Sequence, residues 1–118
     1  MQKGPPLSNA ASMRLTGPIK DLGLDLSSEQ KAKLVEFSKV LLQWNKRTNL
    51  ISKSDERRVF PRHILDSLSA TSFLVGNSIV DIGSGAGLPG LPLAIASPHK
   101  TFTLYERMKK RAHFMQFV

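Results

Sequence analysis

The segment SIVDIGSGAGLPG, residues Ser78–Gly90, contains the pattern from which the fold of this chain is predicted. It begins with a short apolar run that contains one acid, Asp81, and then turns on alternating glycines. A short apolar run that ends in Gly-x-Gly and opens into a helical pattern predicts a strand, a tight loop and a helix. Glycine has no Cβ, so the loop lets a ligand lie against its backbone, and the first N–H groups of the following helix point back at that ligand. The stretch therefore predicts a small-molecule site with a nucleotide-like occupant at the carboxyl end of a strand.

Two cofactors compete for this loop. Gly85-Ala86-Gly87-Leu88-Pro89-Gly90 matches the dinucleotide fingerprint G-x-G-x-x-G. That fingerprint needs its first glycine directly after the strand, where Gly83 stands, and counting from Gly83 puts Leu88 in the place of the third glycine. Asp81 would repel a pyrophosphate, but it suits the ammonium of an amino-acid moiety. The pattern Asp81-x-Gly83-x-Gly85-x-Gly87 therefore favours S-adenosylmethionine over NAD.

A second strand is predicted over Thr101–Tyr105, where β-prone residues alternate. It ends on Glu106, and an acid at a strand tip can accept hydrogen bonds from both hydroxyls of a ribose. NAD enzymes use the same arrangement, so Glu106 supports a nucleotide site without choosing the cofactor. The alternative is that Glu106 is a solvated surface acid.

Length and composition bound the rest. The 118 residues suffice for one small domain, and a hydrophobic content of 41% is typical of a globular chain. There is no cysteine, so the sequence has neither disulfides nor a thiolate metal site, which fits a reducing compartment. No apolar run approaches the ~20 residues of a membrane span. We expect a cytoplasmic protein without a metal.

The charge of the chain points to a polyanionic partner. Lys and Arg number 17 against nine acids, for a formal net charge of +8. Nucleic acid is the first candidate for such a chain, and a solvated basic surface is the alternative. The cations are clustered: Lys46-Arg47, Arg57-Arg58 with Arg62, and Arg107 to Arg111.

Three regions follow one another along the chain: a flexible leader over residues 1–18, a helical region over 19–76, and a partial Rossmann-like region over 77–118. The leader is rich in proline, glycine and serine and has no acid. In the helical region, Ser27 and Gln30 form a capping box, and apolar residues then recur at helical spacing, at Leu34, Phe37, Leu41 and Trp44. Trp44 is interpreted as a core anchor, with base stacking as the alternative.

The segment Arg62–Leu68 carries the remaining chemical groups. His63 and Asp66 are three residues apart and share one side of a helix. They are either a catalytic pair or, as we favour, residues with a structural hydrogen bond or a role in lining the site. Ser54 or Asp55 is predicted to cap the helix before them, and Pro61 to bend or restart it. A final helix is predicted from near Lys109.

Three motifs in order resemble one known family. They are Trp44-Asn45-Lys46 with Asn49-Leu50, Arg62-His63-Ile64-Leu65-Asp66-Ser67-Leu68, and the run from Asp81 to Leu93. Together they resemble the RsmG family, also called glucose-inhibited division protein B, of bacterial small-subunit ribosomal RNA guanine-N7 methyltransferases. The resemblance covers roughly Leu22 to the end of the chain.

The resemblance implies an enzyme that uses S-adenosylmethionine to methylate N7 of a guanine in 16S ribosomal RNA. It implies a fold of N-terminal helices followed by a Rossmann-like class I methyltransferase sheet. The cofactor is then expected at Asp81, Gly83, Gly85, Gly87, Leu88, Glu106, Arg107 and Met108. RNA is expected at Arg62, Lys109, Lys110 and Arg111, and no catalytic residue is assigned.

Members of that family continue beyond the point where this sequence ends, and only the first β-α-β-α half of the sheet is expected here. We therefore expect an inactive fragment that is monomeric if it folds and prone to aggregate through an exposed sheet edge. The alternatives are a non-catalytic basic RNA-binding module and a piece of a dinucleotide-binding oxidoreductase.

Overall fold

The structure is a computed structural model that describes residues 6–48, 50–82, 88 and 90–106. Five α-helices, two short helical turns and two strands make up the described elements. In chain order they are α1 (Pro6–Asp21), α2 (Ser28–Thr48), α3 (Lys53–Glu56), a π-helical turn (Val59–His63), α4 (Ile64–Leu68), a 3₁₀ turn (Ser69–Phe73), β1 (Ser78–Ile82), α5 (Gly90–Ala96) and β2 (Thr101–Tyr105). The predicted α/β class, with helices before a β-α-β unit, is confirmed. The final helix predicted from Lys109 lies outside the described residues.

Helix α1 differs from the flexible leader predicted over residues 1–18. The described part of that segment is helical from Pro6, and its Leu15 is fully buried together with Ile19, one turn further on. Burying these side chains against the core stabilises a helix that its own composition does not favour. The helix ends in a Schellman motif at Gly23, whose φ is 79°. There the Leu24 N–H donates to the Ile19 carbonyl at 3.1 Å and the Gly23 N–H donates to the Lys20 carbonyl at 2.9 Å.

Helix α2 begins as the sequence predicts. The Ser27 N–H donates to Gln30 Oε1 at 2.8 Å and the Gln30 N–H donates to Ser27 Oγ at 3.1 Å, which closes the capping box. Its predicted apolar face is confirmed: Leu34, Phe37 and Leu41 are buried in the core, and Trp44 is half-buried and packs against it. Trp44 is thus a core residue, in agreement with the favoured interpretation.

The segment between α2 and the sheet is broken into short pieces. Ser52, rather than the predicted Ser54 or Asp55, caps α3, because Ser52 Oγ accepts the Asp55 N–H at 3.2 Å. Phe60 is extended, with φ −126° and ψ 127°, the conformation favoured before a proline. The helix therefore restarts at Pro61, as predicted, and α4 buries Ile64 and Leu68.

The two strands pair in parallel, with Ser78 opposite Thr101 and Ile82 opposite Tyr105. Helix α5 connects them and covers the sheet face that carries the half-buried Asp81 and Leu104. On the opposite face Val80, Ile82 and Tyr105 are 56%, 82% and 57% exposed. Within the described residues, α5 is thus the cover of one sheet face, and the other face is open.

Helix α5 is held against the N-terminal helices by Gln30. The Gln30 Nε2 atom donates to the Ile95 carbonyl at 3.0 Å and lies 3.5 Å from the Ala96 carbonyl. Leu91 and Ile95 add apolar contacts with the core of the helical region. These contacts fix the position of α5, which is the helix that follows the glycine loop.

The predicted division of the chain into regions at residues 18 and 76 stays a prediction.

Candidate functional site

The candidate site lies at the carboxyl ends of β1 and β2. Asp81 pairs in register with Leu104, and Glu106 directly follows the last residue of β2. Carboxyl ends of parallel strands meet at one edge of a sheet, and that edge is where open α/β sheets bind ligands. Asp81 and Glu106 are both half-buried. The structure therefore brings the two acids singled out in the sequence to the same edge of the sheet.

Gly90 brings α5 into close contact with this edge. A Cβ added to Gly90 would lie 2.6 Å from Asp81 Oδ2, 2.9 Å from Leu104 Cδ2 and 3.0 Å from Leu104 Cγ. Real Cβ atoms essentially never come within 3.0 Å of such neighbours. The absence of a side chain at Gly90 thus allows the helix to sit directly on the carboxylate of Asp81. Asp81 Oδ2 is buried there.

Sequence reasoning assigned no role to Gly90, although a signal was present. Gly90 is the third glycine of the match Gly85-x-Gly87-x-x-Gly90. In the dinucleotide fingerprint the third glycine serves close packing of helix and strand. Gly90 has that packing role here, and the role does not depend on which nucleotide cofactor binds.

Several predicted site residues lie outside the described residues. They are Gly83, Gly85 and Gly87 of the loop, Arg107 and Met108 after β2, and the predicted RNA contacts Lys109, Lys110 and Arg111. Leu88 is described, and it is half-buried and packs against the core. Its contact with a cofactor stays a prediction.

His63 and Asp66 do not form the pair that the sequence suggests. His63 Nε2 lies 3.7 Å from Asp55 Oδ1, and Asp66 Oδ2 lies 3.4 Å from Arg62 Nε. The three-residue spacing places the two side chains on one side of a helix, but His63 lies beside Asp55 and Asp66 lies beside Arg62. The structure therefore does not form a catalytic pair of His63 and Asp66. Asp66 instead has a structural hydrogen bond with Arg62, and a lining role for the two residues stays a prediction.

Asn45 is a second residue whose role the sequence did not reveal. It lies in the last turn of α2, where polar side chains are commonly exposed, but it is only 3% exposed. Its Nδ2 donates to Glu56 Oε2 at 2.7 Å, and its Oδ1 accepts the Ile51 N–H at 2.7 Å. A buried amide with both ends bonded holds the turn after α2 against α3.

In the part of the chain that the structure describes, no group of three or more His, Cys, Asp and Glu side chains is arranged to hold a metal ion. No described helix is both long and apolar enough to cross a membrane.

Comparison with known proteins assigns the chain to one group. Residues 30–118 match the family model described as rRNA small subunit methyltransferase G. The ribosomal RNA small subunit methyltransferase G of Alteromonas mediterranea is 47% identical over 94 residues, which cover 80% of this chain and 44% of that protein. The protein of the same name from Escherichia coli is 41% identical over 105 residues, or 89% of this chain and 51% of that protein. The chain thus spans about half the length of the curated relatives it matches.

Proposed function

The chain belongs to the rRNA small subunit methyltransferase G family, and on that premise we propose that its β1–α5–β2 unit binds S-adenosylmethionine for methyl transfer to N7 of a guanine in 16S ribosomal RNA. The observation that carries the proposal is the meeting of Asp81 and Glu106 at one edge of the sheet. A ribosomal RNA substrate would also set a cytoplasmic location.

The chemistry of the two acids fits the two ends of this cofactor. A carboxylate at Asp81 suits the ammonium of the methionine moiety, directly or through water. A carboxylate at Glu106 can accept hydrogen bonds from both ribose hydroxyls. Between these ends, we assign the cofactor to the backbone of Gly83, Gly85 and Gly87. Leu88, Arg107 and Met108 complete the proposed binding set.

The proposed reaction asks little of acid–base groups. The cofactor supplies an electrophilic methyl group on a sulfonium. Guanine N7 has a lone pair and carries no proton, so its attack needs no general base. The task of the protein is to align the two reactants, and holding reactants in near-attack geometry can supply ~7–11 kcal/mol. The guanine must present its N7 edge, which favours a loop or an unstacked nucleotide as the target.

On the RNA side, we assign phosphate contacts to Arg62 and to Lys109, Lys110 and Arg111. Arg62 is paired with Asp66, but the two side chains are 74% and 64% exposed. An exposed pair of this kind contributes ~0–1 kcal/mol, so it does not prevent Arg62 from binding a phosphate.

The proposal is tested by titrating S-adenosylmethionine into the 118-residue chain in a calorimeter, beside a Glu106→Gln variant. Loss of a charge-assisted hydrogen bond costs ~1.5–3 kcal/mol. The variant should therefore bind the cofactor about ten- to a hundredfold more weakly. Glu36→Gln, which neutralises an exposed acid of α2, is the matched control and should bind as the unchanged chain does.

Two results would count against this assignment. An unchanged dissociation constant for Glu106→Gln would make Glu106 a surface acid. RNA binding by a chain that binds no cofactor would favour the alternative function, a non-catalytic basic RNA-binding module. A methyl-transfer assay on small-subunit RNA, run beside the titration, separates cofactor binding from turnover.

A further inference from the structure

A group of exposed cations lies at the carboxyl ends of α2 and α3. Lys46 and Arg47 are in the last turn of α2, and Arg57 and Arg58 come directly after α3. All four side chains are exposed, and among the described residues none of them forms an ion pair. We call these four residues the α2–α3 basic surface.

A partly buried hydrogen bond brings the two halves of this surface together. Asn45, which precedes Lys46, donates through Nδ2 to Glu56 Oε2 at 2.7 Å, and Glu56 precedes Arg57. Asn45 also accepts the Ile51 N–H at 2.7 Å, which fixes the turn between the helices. The backbone that carries Lys46 and the backbone that carries Arg57 are therefore neighbours, although they are eleven residues apart.

The acids of the same segment are turned toward protein partners. Glu56 accepts the Asn45 amide, while Asp55 accepts the Ser52 hydroxyl at 2.9 Å and lies 3.7 Å from His63. Both acids are half-buried, whereas the four cations are exposed. The outward charge of the surface is therefore positive, even though two acids stand between the arginines and the helix end.

A structural role explains Lys46 and Arg47 but not Arg57 and Arg58. Lys46 and Arg47 complement the dipole at the carboxyl end of a 21-residue helix. Arg57 and Arg58 follow a helix of four residues, whose few aligned peptides produce little dipole. Paired arginines held on a fixed turn present planar forks that match phosphate oxygens.

We propose that the α2–α3 basic surface binds the phosphate backbone of the RNA substrate. The inference rests on the proposed function, which supplies the RNA, and it adds Lys46, Arg47, Arg57 and Arg58 to the RNA contacts assigned above. Phosphate contacts set the position and orientation of a protein on a nucleic acid without reading its sequence. The surface would thus orient the RNA while the sheet edge holds the cofactor.

The test compares two double variants of the 118-residue chain, Lys46→Gln with Arg47→Gln and Arg57→Gln with Arg58→Gln. Binding to a labelled fragment of small-subunit ribosomal RNA is followed by fluorescence anisotropy over a series of salt concentrations. Each lost phosphate contact lowers the slope of log K against log salt by ~0.7–0.9. Each double variant should therefore lose about 1.4–1.8 of slope and bind about twenty- to sixtyfold more weakly near 0.1 M salt.

Two matched controls accompany the variants. Lys20→Gln with Lys33→Gln removes the same charge from exposed positions of α1 and α2 outside the surface, and should leave the slope unchanged. Arg57→Lys with Arg58→Lys keeps the charge and should retain the slope, because the slope depends on the number of phosphates neutralised. Circular dichroism of each variant serves to check that its helices are retained.

Several results would overturn the inference. One is a slope for both surface variants equal to that of the Lys20 and Lys33 control, and another is no RNA binding by the unchanged chain. Weaker binding of the variants to phosphatidylserine vesicles, with unchanged RNA binding, would assign the surface to a lipid instead. Calorimetry with S-adenosylmethionine on the unchanged chain tests the proposed function separately. If the chain binds the cofactor but the variants bind RNA as the unchanged chain does, only this inference is removed.

Discussion

At the scale of single residues, the candidate site depends on the absence of a Cβ atom at Gly90. The space for a Cβ at Gly90 is already occupied by Asp81 Oδ2 and the Leu104 side chain. The same contact that packs α5 on the sheet therefore sets the position of the carboxylate proposed to bind the cofactor. We therefore expect stability and cofactor binding to be coupled at this position.

We predict that Gly90→Ala destabilises the chain and weakens cofactor binding. The added methyl must displace Asp81 or Leu104, and overpacking of this kind costs ~1–3 kcal/mol. Urea unfolding measures the loss of stability, and calorimetry with S-adenosylmethionine measures the effect of moving Asp81.

Gly17→Ala is the control for this change. Gly17 lies inside α1 with nothing within 4 Å of its Cβ position. Alanine there should stabilise the chain by ~0.5–1 kcal/mol, because glycine is a poor helix residue. Equal effects of the two substitutions would mean that the packing at Gly90 tolerates a methyl group.

At the scale of elements, Gln30 joins the start of one helix to the end of another. Its Oε1 accepts the Ser27 N–H of the capping box, and its Nε2 donates to the Ile95 carbonyl at the end of α5. Carbonyls in the last turn of a helix have no partner within that helix. One side chain thus satisfies groups at two helix ends and holds α5 in place beside the candidate site.

We predict that Gln30→Ala destabilises the chain more than Ser27→Ala does. Loss of the Ser27 cap costs ~1 kcal/mol. Gln30→Ala keeps that cap, because the backbone N–H of residue 30 donates it. It removes two side-chain bonds, with the Ser27 N–H and with the Ile95 carbonyl, each of which contributes about 0.5–1.5 kcal/mol. Midpoints of urea unfolding compare the two variants.

Gln30→Glu separates the two contributions. It keeps an acceptor for the Ser27 N–H, but it places a carboxylate against the Ile95 carbonyl where the amide donated. If Gln30→Glu is as stable as the unchanged chain, the contact with α5 contributes nothing to stability.

At the scale of the whole molecule, the sheet has one covered face and one open face within the described residues. Parallel sheets are normally covered on both faces. Here the open face carries Val80, Ile82 and Tyr105, of which Ile82 is 82% exposed. Contiguous exposed apolar side chains of this kind promote association.

We predict that the 118-residue chain self-associates as its concentration rises and that Ile82→Thr reduces this association. Threonine keeps the β-branched shape that suits a strand while it lowers the apolar area. Sedimentation velocity over a concentration series measures the effect.

Met13→Gln is the matched control, since Met13 is an apolar side chain of α1 that is 74% exposed. This change should leave the association unaltered. A monodisperse monomer at every concentration would contradict the prediction.

The features that arise from neighbours along the chain could be predicted from the sequence. The capping box at Ser27 and Gln30, the apolar face of α2 and the two β-prone runs are local patterns, and the structure confirms each of them. The predicted strands also placed Asp81 and Glu106 at one edge of the sheet, because parallel pairing brings the carboxyl ends of strands together. Their contact with a cofactor stays a prediction.

Tertiary structure alone decided the features that depend on distant residues. Helix α1 is helical because Leu15 and Ile19 are buried, which its Pro- and Ser-containing sequence does not indicate. His63 lies near Asp55 rather than Asp66, and Gly90 is needed because Asp81 and Leu104 converge on it. The Gln30 bond to Ile95 spans 65 residues. Periodicity encodes which face of an element is apolar, whereas the partner that covers this face is set only when the whole chain packs.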